Sequence, residues 1–424
     1  MSDDQIRERY GVKNSFALAE ELYDRVARRF PEPDGPVHDP WQVGLLGCLL
    51  RGVVFALPGF GYVLGAPLLA GRPDPSGLPA GTLPLLSGAL VGWTWNQGLA
   101  HRAYSWLGLG DKPAARHSLL VGAPAGMVLG ALTALTTAAD PTAMAFTTGQ
   151  SVYLGAATVL LVLGRERALL AALLPMTAGA ATAMLHPVPD APRLVLLVGS
   201  LLAVVTLAWL EVRAGGNVLE GRGEPRDRSR RTRRQRTRMA PRTTASLPYA
   251  LFGLSTGALV LYAALSAGAV AAVALTLSMG PAEWLLYRFR SAGLRGLRST
   301  STPKAFWRTT GLTLAACLSA YLSALLALTL LATTLWPHTP AMSGAGLTGL
   351  LLLGMILWTG LLLQSFGAVL AASAVCCTAA LAQTLALLTH ADAPHRIALF
   401  VYGAAAVVQA ALVCALLGRV TAHR

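Results

Sequence analysis

Twelve long apolar runs fill nearly all of the chain between Trp41 and Val420, and one arginine-packed stretch, Arg222 to Arg242, divides them six and six. This pattern excludes a water-soluble fold. A helix needs about 20 mostly apolar residues to cross a hydrocarbon core of about 30 Å, and repeated runs of that length leave too little polar surface for a soluble domain. Composition agrees: 54% of the 424 residues are hydrophobic and only 13% charged, with a mean hydropathy of +0.54. Soluble domains carry about 25% charged residues. The runs are continuous and rich in Ala, Leu, Val and Gly, which reads as helix. A membrane β-barrel would instead alternate apolar and polar residues over segments of about ten. The expected fold is all-α, a polytopic membrane protein with about 12 transmembrane helices in two six-helix bundles.

The spans are expected at about 43–70, 83–106, 117–138, 143–164, 167–186, 193–213, 246–266, 268–288, 309–336, 345–366, 367–389 and 396–420. Two joins, near Ala267 and Gly367, have almost no loop, so each is either a tight helical hairpin or one mis-parsed region. Lys and Arg gather in cytoplasmic loops. With the N-terminus inside, the inner loops hold His101, Arg102, Lys112, Arg116 and His117, then Arg165 and Arg167, the central stretch, and Arg288 to Arg308. The outer loops are short, proline-rich and nearly neutral, as at Arg72-Pro73-Asp74-Pro75 and Pro187-Val188-Pro189-Asp190. Two places fit less well: the inner turn near Gly367 carries no charge, and Arg396 begins the last span from outside. The expected location is the cell membrane, multi-pass, with both termini cytoplasmic.

Four segments follow. Residues 1–40 form a cytoplasmic N-terminal segment, with Phe16, Tyr23, Val26 and Phe30 at helical spacing along an amphipathic helix. They are charged and polar, with no cleavable signal peptide, so the first span is expected to double as the targeting signal. The first bundle covers 41–213, an arginine-rich linker 214–245, and the second bundle 246–424. The net charge of +14 sits largely in the loops. The block containing Arg226, Arg228, Arg230, Arg231, Arg233, Arg234, Arg236 and Arg238 repels itself and has almost nothing to bury. It is expected to be disordered and held against anionic lipid head groups. No aromatic residues interleave it, so nucleic acid is not an expected partner. A cytoplasmic synthase or an envelope-complex partner is the other occupant weighed for it.

Polar and ionisable groups inside spans are costly and are functional candidates by default. Arg51 lies in the first span, upstream of Pro58-Gly59, which should bend or loosen that helix. Trp93-Thr94-Trp95-Asn96-Gln97 sits in the second. Its amides suit hydrogen bonds between helices or the lining of a cavity, and its indoles can stack on a sugar. Ser278-Met279-Gly280-Pro281-Ala282-Glu283 lies in the eighth, where Gly280 and Pro281 should kink the helix. Glu283 then falls within about two turns of Arg288 and Arg290, a pairing that rocking of the halves would change. Glu211 ends the sixth span beside Trp209 and Arg213, and Gln150, Gln364, Gln383 and Gln409 are isolated amides suited to packing. The pathway candidates are Arg51, Trp93, Asn96, Gln97 and Glu283.

The five cysteines, Cys48, Cys317, Cys376, Cys377 and Cys414, show no metal-ligand spacing, and adjacent Cys376-Cys377 suits helix packing better than a disulfide. There is no phosphate-binding loop, no GxSxG and no HExxH. Neither a metal, a cofactor nor an enzymatic activity is expected.

Six plus six spans, a basic centre and an arginine-touched first helix resemble two carrier superfamilies. The major facilitator group usually places a Gly-x-x-x-Asp-Arg-type loop between its second and third spans. Leu107-Gly108-Leu109-Gly110-Asp111-Lys112-Pro113 keeps a glycine and an acid-base pair there. The Gly280-Pro281 helix and the short outer loops look more like the multidrug/oligosaccharide/polysaccharide flippases, and within them the chain is similar to the transporters of Pel-type exopolysaccharide systems. The resemblance is architectural, over residues 43–420. It implies a flippase or exporter moving a polysaccharide or lipid-linked saccharide by alternating access between the two bundles. Two other classes remain open. One is a non-transporting scaffold for a cell-envelope or polysaccharide-synthesis complex. The other is a membrane-embedded transferase using Asp74, Asp140 or Asp190.

Overall fold

A computed structural model describes residues 61, 64–69, 82–109, 111–138, 140–217, 243–267, 269–299, 302–335, 342–389 and 394–422. All of them belong to one compact unit, Leu46–Arg424. The N-terminal helix at Phe16–Phe30, Arg51, Pro58, Asp74, Cys48 and the Arg222–Arg242 stretch lie outside the described residues.

Every described element is helical: α1 (Thr82–Gly108), α2 (Lys112–Thr137), α3 (Pro141–Val162), α4 (Glu166–Leu185), α5 (Asp190–Asn217), α6 (Leu247–Ala267), α7 (Ala269–Ser299), α8 (Pro303–Leu335), α9 (Gly344–Ser365), α10 (Val369–Leu388) and α11 (Pro394–Ala422), with 3-10 turns at Ala66–Leu69 and Thr243–Ser246. Eight of them, α2, α3, α5, α6 and α8 to α11, are long and apolar enough to cross a membrane. The expected count of twelve is therefore met in part. The three others carry polar groups within their length: Asn96, Gln97, His101 and Arg102 on α1, Glu166 and Arg167 at the start of α4, and Glu283, Arg288 and Arg290 on α7.

Local chemistry explains the ends. Asp140 caps α3, its Oδ1 accepting from the backbone N–H of Thr142 at 2.7 Å and of Ala143 at 3.1 Å, with Pro141 at the first helical position. Asp111 caps α2 by accepting from Ala114 N–H at 3.0 Å. Two helices end on a glycine with positive φ, Gly164 (72°) and Gly367 (79°). In both turns the following residue reaches back five positions: Arg165 N–H to Leu160 O at 2.8 Å, and Ala368 N–H to Leu363 O at 2.9 Å. That is a Schellman closure, which needs the left-handed conformation glycine adopts without penalty. The join at Gly367 is thus a tight helical hairpin. Asp140 serves the backbone of α3, so Asp140→Ala should lower stability by about 1 kcal/mol. A thermal unfolding midpoint indistinguishable from wild type would contradict the cap.

The surface is apolar where a soluble protein would be polar. Leu135, Val195, Leu202, Leu312, Leu370, Leu388 and Phe400 all stand exposed on helix faces, the pattern expected of lipid-facing helices. Two apolar cores lie beneath, one running from Leu64 to Ala208 and the other from Phe252 to Leu417, and Trp93 packs against both. α3 and α9 are the most enclosed of the eight.

Lipid tails are as apolar as leucine, so association within a bilayer depends on close backbone approach and hydrogen bonds. Small residues supply the approach. A Cβ at Gly88 would sit in the Thr147 carbonyl oxygen, and one at Gly130 in Ser151. Ser151 Oγ donates to Gly88 O at 3.0 Å, and Trp95 Nε1 to Gly122 O at 2.6 Å. α1 is thereby clamped between α2 and α3.

Candidate functional site

α1 meets α6 along a continuous antiparallel seam. At one end the His101 ring stacks on Tyr249 with centroids 3.9 Å apart, and its Nδ1 lies 3.0 Å from Ser246 Oγ. In the middle, a Cβ at Gly253 would come within 2.7 Å of the Trp93 carbonyl oxygen and 3.1 Å of Gln97 Cγ. One turn further, a Cβ at Gly257 would meet Leu90 Cδ1 at 2.7 Å and the Trp93 ring at 3.2 Å. Gly253-Leu254-Ser255-Thr256-Gly257 is a GxxxG surface, and it locks the second half of the sequence onto the first.

Beside this seam lies a cleft of about 610 Å3, including its open mouth. α1 contributes Trp93 and Gln97; α6 contributes Phe252, Gly253, Thr256 and Val260; α7 contributes Leu275, Thr276 and Met279; α9 contributes Leu357 and Leu361. Phe252 is set by Gly360 of α9, where a Cβ would lie 2.9 Å from its ring. The lining is mostly apolar. Its polar side chains are the Gln97 amide and the hydroxyls of Thr256 and Thr276, which donate to Phe252 O at 2.7 Å and Val273 O at 2.9 Å. The donation from Thr256 occupies its hydroxyl proton and leaves oxygen lone pairs to accept. The Gln97 amide makes no hydrogen bond among the described residues and offers both donors and an acceptor. None of the lining residues is ionisable. The arrangement can hold an apolar body with a polar group beside Gln97.

The far face of α7 is fixed by a buried network. Trp358 Nε1 donates to Ala282 O at 3.2 Å, Tyr321 stacks on Trp358 with centroids 6.3 Å apart, and Tyr321 OH lies 3.1 Å from Ser278 Oγ. Ser278 and Ala282 flank Gly280-Pro281, and α7 runs through that dipeptide as one helix, Ala269–Ser299. The network holds the Thr276-Met279 wall of the cleft in place.

The structure brings together two of the pathway residues expected from sequence, Trp93 and Gln97. Asn96 turns the other way: it is buried and donates to Gly92 O on its own helix at 2.7 Å, and among the described residues it bonds to no other helix and does not line the cleft. Glu283 is half-buried one turn beyond Met279 on the same helix face and is absent from the lining. Arg288 sits over the Trp284 ring at 5.6 Å. Glu211 takes Arg165 as its partner at 2.9 Å, while Arg213 lies over Trp209 at 4.3 Å. Gln409 is not isolated: it accepts from Thr359 Oγ1 at 2.5 Å and donates to Cys376 Sγ at 3.3 Å. Cys317, Cys376, Cys377 and Cys414 are free thiols. Sequence reading missed Phe252, Thr256, Thr276 and the two seam glycines. The spacing of Gly253 and Gly257 was the available signal. Compared with family models, curated proteins and solved structures, the chain matches none.

Proposed function

We propose that the protein is a membrane flippase or exporter for a lipid-linked saccharide, working by alternating access between residues 43–213 and 246–420. The observation that carries this reading is a cleft whose walls come from both halves of the chain. The substrate half of the proposal follows from the lining. A free polysaccharide needs many hydrogen bonds, whereas this cleft offers one amide and two hydroxyls against apolar side chains. It suits the lipid portion of an amphiphile, with Gln97 meeting the first polar group. The α1–α6 seam is then the axis about which the walls of the cleft part. In this reading the span at 43–70 precedes α1, all eleven described helices are spans, and α3 and α9 each stand fourth in their half. The Arg222–Arg242 linker lies on cytoplasmic anionic head groups with both termini on that side, and Arg51 and Glu283 stay as candidate charges at the ends of the pathway.

The test compares secreted saccharide with the lipid-linked pool in a deletion strain. Wild type should restore secretion, while Gln97→Leu should cut it about tenfold, the worth of one buried hydrogen bond, and raise the lipid-linked pool at normal protein level. Normal export by Gln97→Leu and Trp93→Ala would remove the cleft from the pathway.

A second reading, a non-transporting scaffold, is favoured by one observation: the interlock at Gly253 and Gly257 is tight enough to serve as a static joint. It expects both saccharide pools to ignore cleft variants, and a partner to be lost from pull-downs when Arg222–Arg238 is deleted.

A further inference from the structure

The α1–α2 hairpin carries two arginines on the faces that its helices turn toward each other. Trp95 Nε1, donating to Gly122 O at 2.6 Å, sets the seam together with Leu99, with which a Cβ at Gly122 would collide. Arg102 follows Leu99 by three positions and Trp95 by seven, so it continues their stripe toward the turn. Arg116 precedes Leu119 by three positions and Ala123 by seven, and both of those are buried. Counted from the Leu99–Gly122 contact, Arg102 lies three residues nearer the turn and Arg116 six. Their levels along the hairpin thus differ by about 4.5 Å, less than one helical turn.

Both side chains are half-buried, and the Nε of each is enclosed without a hydrogen-bond partner. Enclosure stops there: the terminal nitrogens of both remain accessible. Neither guanidinium takes part in an ion pair, hydrogen bond or ring contact among the described residues. The other cations at this end differ. Lys112, His117 and Arg167 stand exposed, as snorkelling side chains do, and exposed Arg165 is paired with Glu211. Asp111, the carboxylate of the turn, gives its Oδ1 to Ala114 N–H. Two positive charges held close together repel, and an anion between them reverses that cost. The neighbouring surface says what kind of anion. Leu120 lies one turn from Arg116 and is exposed, and Val121, Val128, Leu132 and Leu135 carry an exposed apolar face along α2. A chain lying on that face places its headgroup at the turn, where the arginines are.

We propose that Arg102 and Arg116 bind the terminal phosphate of a lipid, a monoester whose outer oxygens accept from the open ends of both guanidiniums while its acyl chains lie along α2. A monoester carries close to two negative charges near neutral pH and so matches two cations. The site rests on α1 and α2 lying in a membrane and is independent of the transport reading. The test measures binding of tritiated dioleoyl phosphatidic acid to the full-length protein in detergent, with dioleoyl phosphatidylcholine and inorganic phosphate as competitors. Wild type should bind it saturably. Phosphatidylcholine, whose choline cancels the charge, should compete about tenfold more weakly than unlabelled phosphatidic acid, and inorganic phosphate at the lipid's own concentration should not displace it. Arg102→Gln and Arg116→Gln each remove an enclosed charge and are expected to fold. Each should weaken binding about tenfold, the worth of one hydrogen-bonded charge. Arg102→Lys keeps the charge, loses the planar fork and should still weaken binding about threefold. Arg167→Gln should change nothing, and the Arg222–Arg242 stretch is present in every variant, so the difference reads this pair alone. Equal losses in Arg102→Gln and Arg167→Gln would mean diffuse attraction to a basic surface and overturn the proposal. Unchanged affinity in Arg102→Gln and Arg116→Gln, or displacement by inorganic phosphate, which would assign the pair to a free anion, would also overturn it.

Discussion

Replacing Trp358 by alanine is expected to destabilise the protein by about 3–5 kcal/mol, the range for truncating a large buried aromatic. The side chain is fully buried and ties three helices together: it belongs to α9, donates to Ala282 O of α7 and stacks on Tyr321 of α8. Transfer from water contributes little in a bilayer, because lipid is as apolar as the core. The cost comes from the void, whose lining loses dispersion contacts on every side, and from a buried indole hydrogen bond. Trp358→Phe keeps most of the volume and should cost only about 1 kcal/mol through the lost N–H. The measurement is a denaturant titration of the full chain in detergent micelles. An alanine variant with the wild-type midpoint would mean that the wall formed by α7 does not depend on this network. The effect should reach the cleft as well, since Thr276 and Met279 stand on the helix that Trp358 holds.

Gly253→Ala should cost about 1–3 kcal/mol. The atom a new Cβ would meet, at 2.7 Å, is a backbone oxygen inside α1, and helix backbone cannot turn aside as a side-chain tip can. α6 must therefore move off α1, which separates the Gln97 and Thr256 sides of the cleft. Gly311 on α8 is the matched control. Nothing lies within 4 Å of a Cβ there, so Gly311→Ala should be neutral or stabilising by about 0.5–1 kcal/mol, through relief of glycine's conformational entropy. The pair of midpoints reads the crossing directly. Equal shifts in both variants would show that α1 and α6 are not in backbone contact.

Helix positions were largely legible in the sequence. Expected spans of 83–106, 143–164, 345–366 and 396–420 are seen as Thr82–Gly108, Pro141–Val162, Gly344–Ser365 and Pro394–Ala422. The signals are local: apolar length, prolines, and capping Asp140 and Ser343. Trp93 and Gln97 were legible for a related reason, since polar and amphipathic groups inside an apolar run stand out against it. The separation of Gln97 from its neighbour Asn96 was not. Successive helical residues point about 100° apart, and only the packing of α1 against α2, α3 and α6 decides which one faces the cleft. Partner choice was hidden as well. Gly88 and Gly92, Gly122, Gly126 and Gly130, and Gly253 and Gly257 all repeat at spacings of four, yet nothing local says that the last pair closes on Trp93 or that Gly88 closes on Thr147. The sequence by itself determined an apolar helical chain with its polar exceptions at fixed positions, because helix formation and membrane burial depend on residues close along the chain. Only the tertiary structure decided which helices meet, how each is rotated and where the cavities lie, because those depend on the close fit of surfaces far apart in sequence.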